Sequence, residues 1–98
     1  MMPLQSKESR LLGKWKLVDG DVVPDATCQR IEELISTALI EVASSTDGWG
    51  ILYIDPLDGR YWELSYPDSS LHGGGPPALT CLSVNEARRR YHVTGSGL

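Results

Sequence analysis

Trp49-Gly50-Ile51-Leu52-Tyr53-Ile54-Asp55-Pro56-Leu57-Asp58-Gly59-Arg60-Tyr61-Trp62-Glu63-Leu64-Ser65-Tyr66 is the stretch that decides the fold. Its two flanks are rich in aromatic and branched residues, the composition of strands. Between them lies turn chemistry: Pro56 presets one dihedral and Gly59 is free to take a left-handed one. A β-hairpin follows, with strands at Trp49–Ile54 and Tyr61–Tyr66. Alternation assigns Leu52 and Ile54 to one face with Trp62, Leu64 and Tyr66. It assigns Trp49, Ile51 and Tyr53 to the other with Tyr61, Glu63 and Ser65. Both faces are apolar or aromatic, so each needs a cover.

Upstream lies the cover for one face. Asp25 is a natural N-cap, and Cys28, Ile31, Leu34, Ile35, Ala38, Leu39 and Val42 recur at steps of three and four. This spacing predicts an amphipathic helix over residues 26–42. Glu33, Thr37 and Ile40 then fall opposite the stripe, which leaves Ile40 an apolar residue on a polar face. Before the helix, Trp15 and Leu17 alternate on one face, Asp19-Gly20 suits a tight turn, and Val22-Val23 returns. After the hairpin come a loop holding His72-Gly73-Gly74-Gly75-Pro76-Pro77, a short strand at Leu79–Leu82, and the capping box Ser83-Val84-Asn85-Glu86 opening a last helix. The expectation is an α+β domain spanning residues 1–98: a small antiparallel sheet of four to five strands, one long amphipathic helix on a face, and a short C-terminal helix. The polar ends, about 1–10 and 93–98, are expected to fray.

With 98 residues, 41% of them apolar, the chain suits one modest core. No apolar run approaches the ~20 residues of a membrane helix, and Lys7, Glu8, Arg10 and Lys14 interrupt the region where a signal segment would lie. A cytoplasmic protein without membrane attachment is therefore expected. The net charge of −4 hides a strong asymmetry. Residues 1–16 carry four cations and one carboxylate, residues 17–86 two cations and twelve carboxylates, and residues 87–98 three arginines. The acidic body disfavours nucleic acid and attracts basic partners.

Little in the sequence suggests catalysis. Cys28, Cys81, His72 and His92 lack the paired spacing of a zinc site, and the two cysteines read as small buried hydrophobes. The triple glycine has no nucleophile elbow to serve, and it runs into Pro76-Pro77 and not into the helix that phosphate loops need. Its simplest role is conformational, with a positive φ at one or more of Gly73, Gly74 and Gly75. Neither a metal nor a cofactor is expected.

Three stretches carry a resemblance to a known family. They are Asp25-x-x-Cys28-x-Arg30-Ile31-Glu32-x-Leu34-Ile35, the run from Asp47-Gly48-Trp49 through Asp55-Pro56-x-Asp58-Gly59-Arg60-Tyr61-Trp62-Glu63-Leu64-x-Tyr66-Pro67, and His72-Gly73-Gly74-Gly75-Pro76-Pro77. With Gly13-Lys14-Trp15 and Tyr91, they resemble the immunity protein 27 family of bacterial polymorphic toxin systems. Ile54 departs from the pattern, standing where a charged residue is expected. The resemblance implies a non-enzymatic cytoplasmic protein that binds a toxin encoded beside it and keeps it inactive.

The binding site is an inference from charge and residue type. Asp47, Asp55, Asp58 and Glu63 would steer a toxin with a basic cleft, such as a nuclease. Trp49, Tyr53 and Tyr61 would anchor it, with His72 beside them. Glu33 and Ile40 form a second candidate face. The alternative is a small-molecule-binding or enzymatic domain built on the hairpin and the His-Gly-Gly-Gly loop. The chain could act as a monomer, or as a homodimer that buries the aromatic face of the Trp49–Tyr66 hairpin against itself.

Overall fold

A computed structural model describes residues 3–45, 50–67 and 75–91. It contains β1 (Arg10–Leu12), β2 (Trp15–Val18), β3 (Asp21–Pro24), α1 (Ala26–Glu33), a π-helical turn (Leu34–Ala38), β4 (Ile40–Ser44), β5 (Ile51–Ile54), β6 (Tyr61–Ser65), β7 (Ala78–Leu82) and α2 (Val84–Tyr91). Five strands form an antiparallel sheet in the order β1-β7-β6-β5-β4, while β2 and β3 form a separate hairpin. The α+β architecture and an antiparallel sheet of four to five strands are those read from the sequence, although β1 and β4 take their places in it while the β2–β3 hairpin stands apart.

Local chemistry sets the element boundaries. Asp25 caps α1, its carboxylate accepting from the Cys28 amide at 2.9 Å. Ser83 and Glu86 close a reciprocal capping box at the start of α2, both contacts at 3.1 Å. Asp19 and Gly20 take positive φ values of 52° and 84°, the geometry of a two-residue hairpin turn. Gly59 and Gly75 are left-handed as well, as their turn and loop positions predict; Gly73 and Gly74 lie outside the described residues.

The helix is shorter than its apolar spacing predicts. It ends at Ala38 and not at Val42, and Ile40–Ser44 is a strand on the sheet edge. Its last turn widens: the Leu39 amide bonds back to the Leu34 carbonyl at 2.8 Å, five residues earlier. Ser36 and Thr37 hydroxyls also bond to the Glu32 and Glu33 carbonyls, a contact that bends helices. Beyond this turn, β-branched Ile40 gains more from pairing with β5 than from another helical turn, and Val42 sits at the register shift between Glu41 and Ala43. Leu39 alone joins helix to strand.

The faces of the β5–β6 hairpin also differ from the alternation read in the sequence, by one residue. Ile54 pairs with Tyr61 across a six-residue turn, so Tyr53 faces Trp62 and Leu52 faces Glu63. One face therefore carries Ile51, Tyr53, Trp62 and Leu64, and the other Leu52, Ile54, Tyr61 and Glu63. Strand composition reveals alternation, but only the turn sets which residues stand opposite each other.

The first face forms the main core with Ile31, Leu34, Leu39 and Leu79, where Trp62 is fully buried. Residues before β1 close over its side, although their polar composition suggests only a loose end. Leu4 is buried there, and Arg30 forks onto Glu8 with two contacts of 2.7 Å. Arg60 donates to the Gln5 and Glu8 carbonyls and lies 4.9 Å over the Trp62 ring. On the second face, Ala87 and Tyr91 of α2 pack against Leu52, Tyr61 and Leu82. The C-terminal helix is thus the second cover that the hairpin requires.

Candidate functional site

The expected binding residues of the hairpin do not share one surface. Tyr53 is buried on the α1 side, and Tyr61 is buried on the α2 side. Burial raises the Tyr53 phenol above its usual range. Asp55 is buried and builds the turn: its carboxylate accepts from the Leu57 amide at 2.9 Å, and its backbone pairs with Arg60 and Gly59. Asp58 chelates Arg60 at 2.6 Å. Glu63 holds α2 down, accepting from Tyr91 at 2.7 Å and from Arg90 at 3.0 Å. Asp47, Trp49 and His72 lie outside the described residues.

Glu33 and Ile40 are both exposed, Ile40 by 55%. They sit where α1 gives way to the edge strand β4, together with exposed Glu32 and Glu41. None of these three glutamates has an ion-pair partner among the described residues. Glu32 and Glu41 could have been found by asking which carboxylates have no cation at neighbouring turn or strand positions. The outer edge of β4 pairs with no strand among the described residues, and a register shift between Glu41 and Ala43 kinks it, a feature that discourages indiscriminate strand addition.

A second exposed surface lies at the opposite edge of the sheet. The register of β2 and β3 puts Trp15 opposite Pro24 and Leu17 opposite Val22 on one face, and all four are exposed. Trp15 also forms part of a cleft of about 730 Å³, with Arg10, Leu12 and Lys14 beside it. Ser65, Ala78 and Thr80 form its floor, the part of the α2-side face that α2 leaves uncovered; Pro67, Pro76 and Pro77 form a wall. Gly13 makes this corner possible. A Cβ there would come within 2.6 Å of both Cys28 Sγ and the Pro77 carbonyl, so only glycine lets the chain pass.

Among the described residues, these surfaces bring together no set of acid, base and nucleophile. The described lining of the cleft includes Arg10 and Lys14 but no carboxylate, histidine or cysteine to act as a base. No group of three or more His, Cys, Asp or Glu side chains is placed to hold a metal among the described residues. Cys28 and Cys81 are unpaired, and burial raises both thiols above their usual range, the opposite of activation. No described helix is long and apolar enough to cross a membrane. What the described residues present is exposed acidic and apolar surface.

No curated protein and no solved structure matches the chain. The family model described as immunity protein 27 matches residues 17–83, from the second strand to the start of the last helix, well over half of the sequence. The chain therefore belongs to the immunity protein 27 family, whose name implies a toxin as its partner.

Proposed function

We propose that this protein neutralises its cognate toxin by binding it stoichiometrically and occluding the active cleft, without catalysis, in the cytoplasm. The toxin is of a class that acts on nucleic acid, with a cationic cleft that an acidic inhibitor fills in place of phosphate. The observation that carries this proposal is the corner between α1 and β4. Glu32, Glu33 and Glu41 are exposed there without ion-pair partners among the described residues, and the exposed apolar side chain of Ile40 lies on the same edge strand as Glu41, on the opposite face of the sheet. Carboxylates of this kind raise the association rate, and a desolvated apolar residue slows dissociation. The carboxylates of the β5–β6 hairpin are less suited, since Asp55, Asp58 and Glu63 already serve the fold.

The test is to co-produce the chain with the toxin domain encoded beside it and to score growth, then to titrate the purified pair by calorimetry. Rescue with a one-to-one complex supports the proposal, and loss of toxin activity on its nucleic-acid substrate supports the toxin class. Rescue at far less than one equivalent would point to catalysis and overturn it.

A further inference from the structure

The β2–β3 hairpin forms a two-stranded sheet apart from the main one and carries exposed apolar side chains on one face. Leu17 is 72% exposed and Val22 63%, and they face each other across the two strands. Trp15 and Pro24 extend the same face toward the base. A two-stranded hairpin is marginal alone, and one with an apolar face in water is more so. Its charges are ordered along its length. Arg10 and Lys14 stand at the base, in the cleft wall beside Trp15, while Asp19 and Asp21 stand at the tip. None of the four has an ion-pair partner among the described residues.

Base and tip of the hairpin therefore differ in charge, with the apolar pairs between them on one face and Lys16, opposite Val23, between them on the other. Reversed end for end, that pattern is its own complement. We infer that two copies of this chain associate through their β2–β3 hairpins, apolar face on apolar face and antiparallel, with each tip seated in the other copy's cleft. A two-fold axis between the Leu17–Val22 pairs does this in one operation: whatever contact the first copy makes, the second makes in return. Lys14 and Asp19 are roughly 16 Å apart at ~3.3 Å per strand residue, so the two charge contacts fall at opposite ends of the apolar contact. At each end Asp19 and Asp21 meet Arg10 and Lys14, and the cleft of about 730 Å³ has room for the turn that carries them. A partner of unrelated sequence would need to reproduce this pattern; a second copy already has it. The dimer leaves the α1–β4 corner free, so it does not depend on where the toxin docks.

Sedimentation velocity across a concentration series tests the inference, with circular dichroism to confirm folding. The wild-type chain should dimerise, and Leu17→Thr with Val22→Thr should weaken the dimer by about tenfold or more. Arg10→Glu with Lys14→Glu, and separately Asp19→Asn with Asp21→Lys, should each weaken self-association. An equimolar mixture of these two charge variants should associate again, because both ends of the mixed dimer are then attractive. A wild-type chain that stays monomeric at the highest concentration reached would overturn the inference, as would a mixture that associates no better than its components. Monomeric behaviour together with loss of toxin binding in the Leu17 and Val22 variant would assign the face to the toxin instead.

Discussion

The Tyr91 phenol donates to Glu63 Oε2 at 2.7 Å, and the same carboxylate receives Arg90 through its other oxygen at 3.0 Å. These contacts pin the end of α2 to the middle of the sheet, where Gly50 leaves space for the phenol. A Cβ on Gly50 would lie 2.5 Å from that oxygen. A hydrogen bond to a charged group is worth about 1.5–3 kcal/mol, so Tyr91→Phe should destabilise the fold by that order. The urea midpoint should fall with the slope unchanged.

Leu34 is fully buried where α1 passes into the π turn, packed in the core that contains Trp62. Leu34→Ala should cost about 2–5 kcal/mol in equilibrium unfolding, a large part of the 5–15 kcal/mol typical of a domain. Leu34→Asp should prevent folding altogether.

Acid sensitivity should centre on Glu8. The forked hydrogen bonds of Arg30 hold its carboxyl far below the ordinary 4.5, at about 2. Its folded pKa is depressed, so its stabilising contribution is complete above the unfolded value and is lost as pH falls from about 4.5 toward 2. Glu8→Gln should lower stability at neutral pH and flatten the pH dependence in that window. Urea midpoints measured from pH 7 to pH 2 check both effects.

Gly13→Ala should be among the most damaging conservative changes. The new methyl meets the Pro77 carbonyl, a backbone atom, as well as Cys28 Sγ, each at 2.6 Å. Overpacking of this kind costs about 1–3 kcal/mol. Cys28→Ala in the same chain relieves only one of the two clashes, so thermal denaturation of the double variant should show incomplete recovery.

At the proposed toxin corner, charge and burial should separate kinetically. Glu32→Lys, Glu33→Lys and Glu41→Lys together should slow association and flatten its salt dependence, with thermal stability little changed. Ile40→Asp should act on dissociation, by on the order of 2 kcal/mol if it is an anchor. Stopped-flow and surface-binding measurements read the two rates. An association rate indifferent to salt and to the three reversals would remove the electrostatic account.

Some of this was legible in the residues because it depends on local chemistry. The Asp25 cap, the Ser83–Glu86 box and the Asp19-Gly20 turn are each closed by groups a few residues apart. The strand at Ile40–Ser44 was not legible. Leu39 and Val42 continue the helical stripe of Ile31, Leu34 and Ile35, and only pairing with β5 distinguishes a strand from one more helical turn. The faces of β5 and β6 were hidden for a related reason, since parity is set by the pairing of Ile54 with Tyr61. That slip is why Tyr53 and Tyr61 were grouped on one candidate surface, although they are buried on opposite sides of the sheet. The exposure of Glu33 and Ile40 was legible because both lie off the buried stripe, whether Ile40 belongs to a helix or to a strand.

The widened turn at Leu34–Ala38 has a mechanical consequence. Because Leu39 alone separates helix from strand, there is no slack between the two. A pull applied to the edge strand, by an unfolding motor or by a departing partner, has no loop to extend and must act directly on the Leu34–Leu39 hydrogen bond. Helix and edge should therefore give way as one cooperative unit, and amide exchange at Leu39 and at Glu41 should report a single opening free energy.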